Sequence, residues 1–213
     1  MQRTVAAILA ILGWASLVLQ FVLSMTNPIV PEPSTLERFV RFFSYFTIST
    51  NLIVAVTLSA IAFAPNSGFG RFFSRPSTLA AVASYISVVG IVYSLFLRSV
   101  WDPAGWQAVA DHALHDAMPL LFVLFWVIFA KKTGIKITDT FRWMIYPIVY
   151  LAYSLIRGAI VNWYPYWFAD VTQLGYPTAL TNAALVLVAF LIIGFVYFGL
   201  SKLLVRDTPI ASA

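Results

Sequence analysis

Residues 43–63 read FSYFTISTNLIVAVTLSAIAF. The second half is an unbroken apolar run, and with its approach from residue 40 it is long enough to cross a bilayer as a helix. The first half carries Ser44, Thr47, Ser49, Thr50 and Asn51 within eight positions. Lipid offers no hydrogen bonds, so each unanswered polar group there costs several kcal/mol. If the stretch is a membrane span, its polar groups need partners on other helices.

Composition makes it a span. The chain has 213 residues, of which 61% are hydrophobic and only 10% charged. Soluble domains are near half apolar and a quarter charged. The formal charge of +5 is then a topology signal rather than a nucleic-acid signal. There is no cysteine, which excludes disulfides, thiolate metal sites and cysteine nucleophiles. The basic N-terminus leads into about 20 apolar residues ending LSMTNP, without a convincing cleavage site, and reads as a first span rather than a secretory signal.

Working outward, apolar runs of spanning length fall at about 4–25, 40–63, 77–97, 113–130, 143–161 and 178–201. Short polar or Pro/Gly-rich connections separate them, so sequential helices should be neighbours. No internal repeat relates the two halves, which weighs against an inverted-repeat transporter. Arg38, Arg41, Arg98 and Arg157 fall on one side. Arg3, Arg71, Arg75, Lys131, Lys132, Lys136, Arg142, Lys202 and Arg206 fall on the other. The expected fold is an all-α bundle of six transmembrane helices in one domain, with both termini cytoplasmic. Six acids (Glu32, Glu37, Asp102, Asp111, Asp116 and Asp170) and both histidines then collect at the non-cytoplasmic face, while Asp139 and Asp207 lie inside.

On a continuous helix Ser44, Thr47 and Asn51 lie at i, i+3 and i+7 and share one face, with Thr50 adjoining. One reading is close helix packing with hydroxyls bonding across the contact. The other is a nucleophilic hydroxyl, which requires a base at matching depth. The segment DHALHDAMP at 111–119 supplies one. Asp111 and His115, and likewise His112 and Asp116, are spaced i, i+4. A solvated helix end is the plain reading of this cluster, and a metal site at His112 and His115 is a weak second. The sharper reading makes His115 a general base and acid, oriented by Asp111. At about 1.5 Å per residue Thr47 and His115 reach similar depths in the outer half.

The fifth span carries Tyr146, Tyr150, Tyr153 and Arg157 on one stripe, at i, i+4, i+7 and i+11. Packing explains the tyrosines and snorkelling explains the arginine. An intramembrane arginine is also a functional suspect, with Asp111, Asp116, or a lipid headgroup or fatty-acid carboxylate as partner. Trp163, Tyr164, Tyr166 and Trp167 read as an interfacial aromatic belt. Pro119 and Pro147 are expected to kink their helices.

Three motifs recur in this order in a known family: YFT near the start of span two, H-x-x-H followed by a proline at the start of span four, and YP-x-x-Y-x-x-Y-x-x-x-RG in span five. The pattern resembles the androgen-induced family of six-helix membrane proteins, including its bacterial members, over most of the chain. Animal members are threonine hydrolases that cleave fatty acid esters of hydroxy fatty acids. The resemblance matches the family's nucleophile to Thr47, with Phe46 where the family has leucine, and its histidine to His115. ISTNL after Thr47 departs from the more apolar animal pattern.

The resulting expectation is an integral protein of the bacterial cytoplasmic membrane that hydrolyses a lipid ester in the outer leaflet without a cofactor. Thr47 attacks and His115 moves the proton. Thr50 is a rival nucleophile one turn away. Thr50, Asn51 or a tyrosine is the oxyanion donor. Asp111, His112, Asp116, Tyr150, Tyr153 and Arg157 support or bind substrate. Membrane lipids and a lipid ester or fatty acid are the expected partners, with no nucleic acid. The competing expectation is a non-enzymatic lipid-binding or transport protein using the same polar pocket.

Overall fold

A computed structural model describes residues 1–27 and 32–205. Arg206 and Asp207, counted in the charge balance, lie outside them. Among the described residues there is no strand, and six helical segments are long and apolar enough to span a membrane: Gln2–Thr26, Phe46–Phe63, Pro76–Leu97, Gly105–Phe129, Ile137–Val161 and Val171–Leu203. The protein is therefore an all-α, six-helix integral membrane protein. The first span is helix α1 (Gln2–Thr26), and it packs along α3 (Phe46–Phe63). That helix is the most enclosed of the six, whereas the last two spans leave most of their surface outward, as lipid contact requires. The core is built from residues such as Val54 and Leu58 of α3, Ile86 of α5 (Pro76–Val92) and Phe122 and Trp126 of α7 (Met118–Phe129).

The second span is not the continuous helix expected over 40–63. A separate amphipathic helix, α2 (Thr35–Ser44), ends at Tyr45, whose backbone is extended (φ −79°, ψ 131°), and α3 starts afresh at Phe46. Ser44 therefore does not share a helical face with Thr47 and Asn51. The polar cluster marks a helix break inside the bundle. A row of serine, threonine and asparagine favours such a break, because these side chains offer the backbone alternatives to helical bonding.

Other spans also carry irregularities. The third passes from α5 into a π turn at Tyr93–Leu97, closed by Arg98 N–H donating to the Tyr93 carbonyl (2.9 Å). The fourth begins at Gly105, eight residues before the expected start. It runs through α6 (Gly105–His112) and a second π turn at Ala113–Ala117 into α7. The fifth begins at Ile137 as α8 (Ile137–Trp143), is interrupted at Met144, and continues as α9 (Ile145–Val161). The sixth, α10 (Val171–Leu203), kinks at Gly175, where φ 71° and ψ 159° suit only glycine. Its regular part starts near the expected residue 178. A short helix α4 (Gly68–Phe73) lies between spans two and three.

Both predicted proline kinks fall at these irregularities. Pro119 and Pro147 each sit in the first turn of a resumed helix, where a missing N–H is tolerated. Each leaves a carbonyl behind it without its helical donor, and each orphan is answered from another span. Tyr85 Oη donates to the Trp143 carbonyl (2.7 Å), and Asn51 Nδ2 donates to the Leu114 carbonyl (3.2 Å).

Candidate active site

The break at Tyr45 puts the hydroxyls of span two where span five can answer them. Tyr150 Oη donates to the Ser44 carbonyl (2.8 Å), and the Tyr153 and Ser44 hydroxyls meet at 2.8 Å. Tyr146 Oη lies 2.7 Å from Ser49 Oγ and 3.0 Å from Thr50 Oγ1. The tyrosine stripe and the polar cluster are thus two halves of one hydrogen-bonded seam. Thr50 is fully buried in it.

Thr47 is used differently. Its Oγ1 lies 3.3 Å from His115 Nε2, and it lines a chamber between the helices. The other ring nitrogen, Nδ1, faces the Asp111 carbonyl at 3.0 Å and Asp111 Oδ1 at 3.2 Å. A backbone carbonyl only accepts, so Nδ1 carries a proton, and in the neutral ring Nε2 then offers its lone pair to Thr47. The expected i, i+4 contact of Asp111 with His115 is present. Asp111 is only 4% exposed, so this pair is enclosed rather than a solvated helix end. Its second oxygen, Oδ2, accepts from the Tyr93 hydroxyl, and the Tyr93 ring stacks on the imidazole at 4.0 Å and 12°.

His112 and Asp116 also pair as expected, Nδ1 to Oδ2 at 2.8 Å, but on the exposed side of the span, where Asp116 also binds Arg98. The two histidines therefore serve separate acids. Among the described residues no three His, Asp or Glu side chains are grouped to hold a metal ion.

Asn51 is neither exposed nor aimed at the chamber. Its Nδ2 donates to the carbonyls of Thr47 (2.9 Å) and Leu114 (3.2 Å). Leu114 precedes His115, and Thr47 lies one turn before Asn51, so this amide fastens hydroxyl and imidazole to each other. That corrects its expected role as an oxyanion donor, and the Tyr146 bond removes Thr50 from the same role. Two other donors stand at Thr47. Because α3 begins at Phe46, the Thr47 N–H belongs to the first helical turn and has no intrahelical acceptor. Its partner is the hydroxyl of Tyr166, 3.4 Å away. Burial pushes the Tyr166 phenol up to about 12, against the lowering effect of Thr47, so it keeps its proton at neutral pH.

Arg157 does not pair with Asp111 or Asp116. Its Nη2 binds Glu37 Oε1 (2.9 Å), which Arg41 also binds (2.8 Å). Partial burial pulls the Glu37 carboxyl up, but these two guanidinium groups outweigh it and hold it below its ordinary value. Both arginines also lie 4.9 Å from the Trp163 ring. The aromatic belt is accordingly a belt only in part. Trp167 is exposed, Tyr164 packs its ring onto Gly158, and Tyr166 turns in to Thr47.

The chamber and its open mouth together hold about 700 Å³ of empty space. Thr47, Tyr93, Tyr150, Ser154 and Tyr166 stand in walls made otherwise of apolar and aromatic side chains. A second cavity of about 720 Å³ lies near Phe72, Ser77 and Trp143. Between the two stands a group of rings, with Phe46 5.0 Å from Tyr146 and Tyr85 4.9 Å from Tyr146.

Sequence reasoning missed Tyr93 and misplaced Tyr166. A lone tyrosine in the apolar run VVGIVYSLF must find an acceptor, which was a usable signal for Tyr93. Nothing local marks Tyr166 as different from its neighbours. Comparison of the chain with protein-family models, curated proteins and solved structures gives no match.

Proposed function

We propose that this membrane protein hydrolyses lipid esters, with Thr47 as nucleophile and His115 as general base. The observation that carries the reading is the 3.3 Å approach of Thr47 Oγ1 to His115 Nε2 at the wall of a largely apolar chamber. An alcohol becomes an effective nucleophile only when a positioned base takes its proton. The tautomer fixed at Nδ1 leaves Nε2 free to do so. Contacts of this length are usual before substrate tightens them.

In the first half-reaction Thr47 Oγ1 bonds to the ester carbonyl carbon, and its proton passes to His115 Nε2. Asp111 steadies the imidazolium. The carbonyl oxygen becomes an oxyanion facing the Thr47 N–H, the role the nucleophile's own amide plays in serine proteases. The Tyr166 hydroxyl, neutral and adjacent, rotates to donate to the same oxygen. When the tetrahedral centre collapses, the ester C–O bond breaks and the leaving alcohol takes the proton from His115. Water, with His115 again as base, then cleaves the threonine ester and releases the acid. The apolar walls suit acyl chains, and the resemblance to the androgen-induced family supports fatty acid esters as the substrate class.

The test uses purified protein in lipid nanodiscs with simple and branched fatty acid esters. Turnover should vanish in Thr47→Ala and His115→Ala. A fluorophosphonate probe should label wild type and Thr50→Ala but not Thr47→Ala. Wild-type turnover in both alanine variants, or labelling that survives Thr47→Ala, would overturn the assignment.

A further inference from the structure

The most unusual local feature is a pair of π turns on adjacent spans, Tyr93–Leu97 and Ala113–Ala117. Single π turns inside helices concentrate at functional positions. Here the first one begins with Tyr93, and the second contains His115. The spans come together closely at this level because Gly90, one turn before Tyr93, has no side chain. A Cβ there would lie 3.2 Å from the His115 carbonyl oxygen and 3.3 Å from Pro119 Cβ.

The consequence of that approach is a double hold on one imidazole. The Tyr93 ring lies flat against the His115 ring, 4.0 Å away and 12° from parallel. The Tyr93 hydroxyl donates to Asp111 Oδ2, while Asp111 Oδ1 faces His115 Nδ1. Tyr93 itself is 3% exposed, and the Arg98 guanidinium, anchored by Asp116, lies 4.9 Å from its ring centroid. A buried tyrosine needs only one acceptor to be satisfied. Packing does not require that the acceptor also be the carboxylate facing the general base, or that the ring stack on that base.

We infer that Tyr93 is the positioning residue of the site: its ring sets the plane of His115, and its hydroxyl holds the Asp111 carboxylate against the Nδ1 edge of that ring. The inference rests on the proposed role of His115. Groups that orient a reacting side chain in this way are commonly worth 10–100-fold in activity. They act on the reacting geometry and therefore on kcat more than on KM.

The chain has two histidines, so His112→Gln leaves His115 as the sole histidine signal. The full chain, labelled with 15N-histidine in nanodiscs, gives the ring nitrogen shifts and the solvent exchange of the Nδ1 proton without any need for turnover. In this background the neutral ring should show the Nδ1–H form alone, with a proton protected from exchange. Tyr93→Phe keeps the stack and loses the hydroxyl, so exchange should rise and kcat fall about tenfold. Tyr93→Leu loses both, so the ring signals should shift, exchange should rise further and kcat fall about 100-fold, with KM changed less than threefold. Ring signals and exchange in Tyr93→Leu equal to those of the parent would overturn the inference. If that variant does not fold, an unchanged exchange rate in Tyr93→Phe overturns it instead. The two proposals fail separately. Wild-type turnover in Thr47→Ala removes the hydrolase reading while the ring signals still decide what Tyr93 holds. Loss of turnover there, with unaltered ring signals in the Tyr93 variants, removes only Tyr93.

Discussion

The chain interrupts two spans beside the tyrosines of its interior, and the two interruptions are treated differently. At Met144 the Trp143 carbonyl receives Tyr85, Trp143 Nε1 donates to Ser77, and Met144 N–H turns back to Phe141. No titratable imidazole or carboxylate joins this set of contacts, and the interruption is satisfied. At Tyr45 the Ser44 carbonyl is likewise capped, by Tyr150, but the two groups of Thr47 are not settled in the same way. The amide has a long bond to a rotatable hydroxyl, and the side-chain hydroxyl faces the His115 ring beside a cavity. A helix break therefore does not make a site. It makes a candidate site here because span four brings His115 to it.

The largest effect that should separate the two breaks is catalytic. Thr47→Ala and His115→Ala should each lower kcat/KM for ester hydrolysis by ~10³-fold or more. Tyr85→Phe, at the satisfied break, should stay within about threefold of wild type, since no reacting group depends on it. Comparable losses in Tyr85→Phe would mean that the breaks act as one unit. Next comes Asn51→Leu, which keeps the volume but orphans the Leu114 carbonyl and releases α3 from the π turn. It should cost ~10–100-fold in activity and about 1–3 kcal/mol in stability, read by hydrolysis and by thermal melting. Melting alone should see the two breaks as equals. Tyr150→Phe and Tyr85→Phe each strand one carbonyl, for about 1–3 kcal/mol apiece.

The smallest effect concerns pH. Glu37 titrates below its ordinary 4.5 because its two arginine contacts outweigh the upward pull of burial. A depressed carboxyl contributes its stability fully above the unfolded value and loses it as pH falls through the folded one. Below about pH 4.5 the melting temperature of wild type should therefore fall more steeply than that of Glu37→Gln. Parallel curves would show that the Arg41–Glu37–Arg157 group contributes nothing to folding.

Hydrophobic length alone made the six spans legible, because a bilayer accepts little else. The pairing of Asp111 with His115 was legible too, since i, i+4 spacing survives even through a π turn. The break at Tyr45 was not, because FVRFFSYFTIST reads equally well as one helix and the alternative depends on tyrosines about a hundred residues away. Arg157 found Glu37 rather than Asp111 or Asp116: all three acids share its side of the membrane, and the fold of α2 selects among them. Tyr93 and Tyr166 reach the site through contacts between spans, which carry no sequence period.

The seam between spans two and five also bears on how the chain is made. Ser44, Ser49 and Thr50 are separated by 96 to 109 residues from the tyrosines that answer them. During synthesis the second span enters the membrane well before its partners exist. Until the fifth span arrives, its polar groups have only local bonds, such as those of Ser44 to Val40 and Ser49 to Phe46, and water or lipid headgroups to satisfy them. Docking of α9 then answers the seam, and α10 supplies Ala183, Val186, Leu187 and Phe190 to the remaining wall of the chamber. A nascent chain halted before residue 146 would carry Thr47 and His115 without the helices that enclose them in the finished bundle.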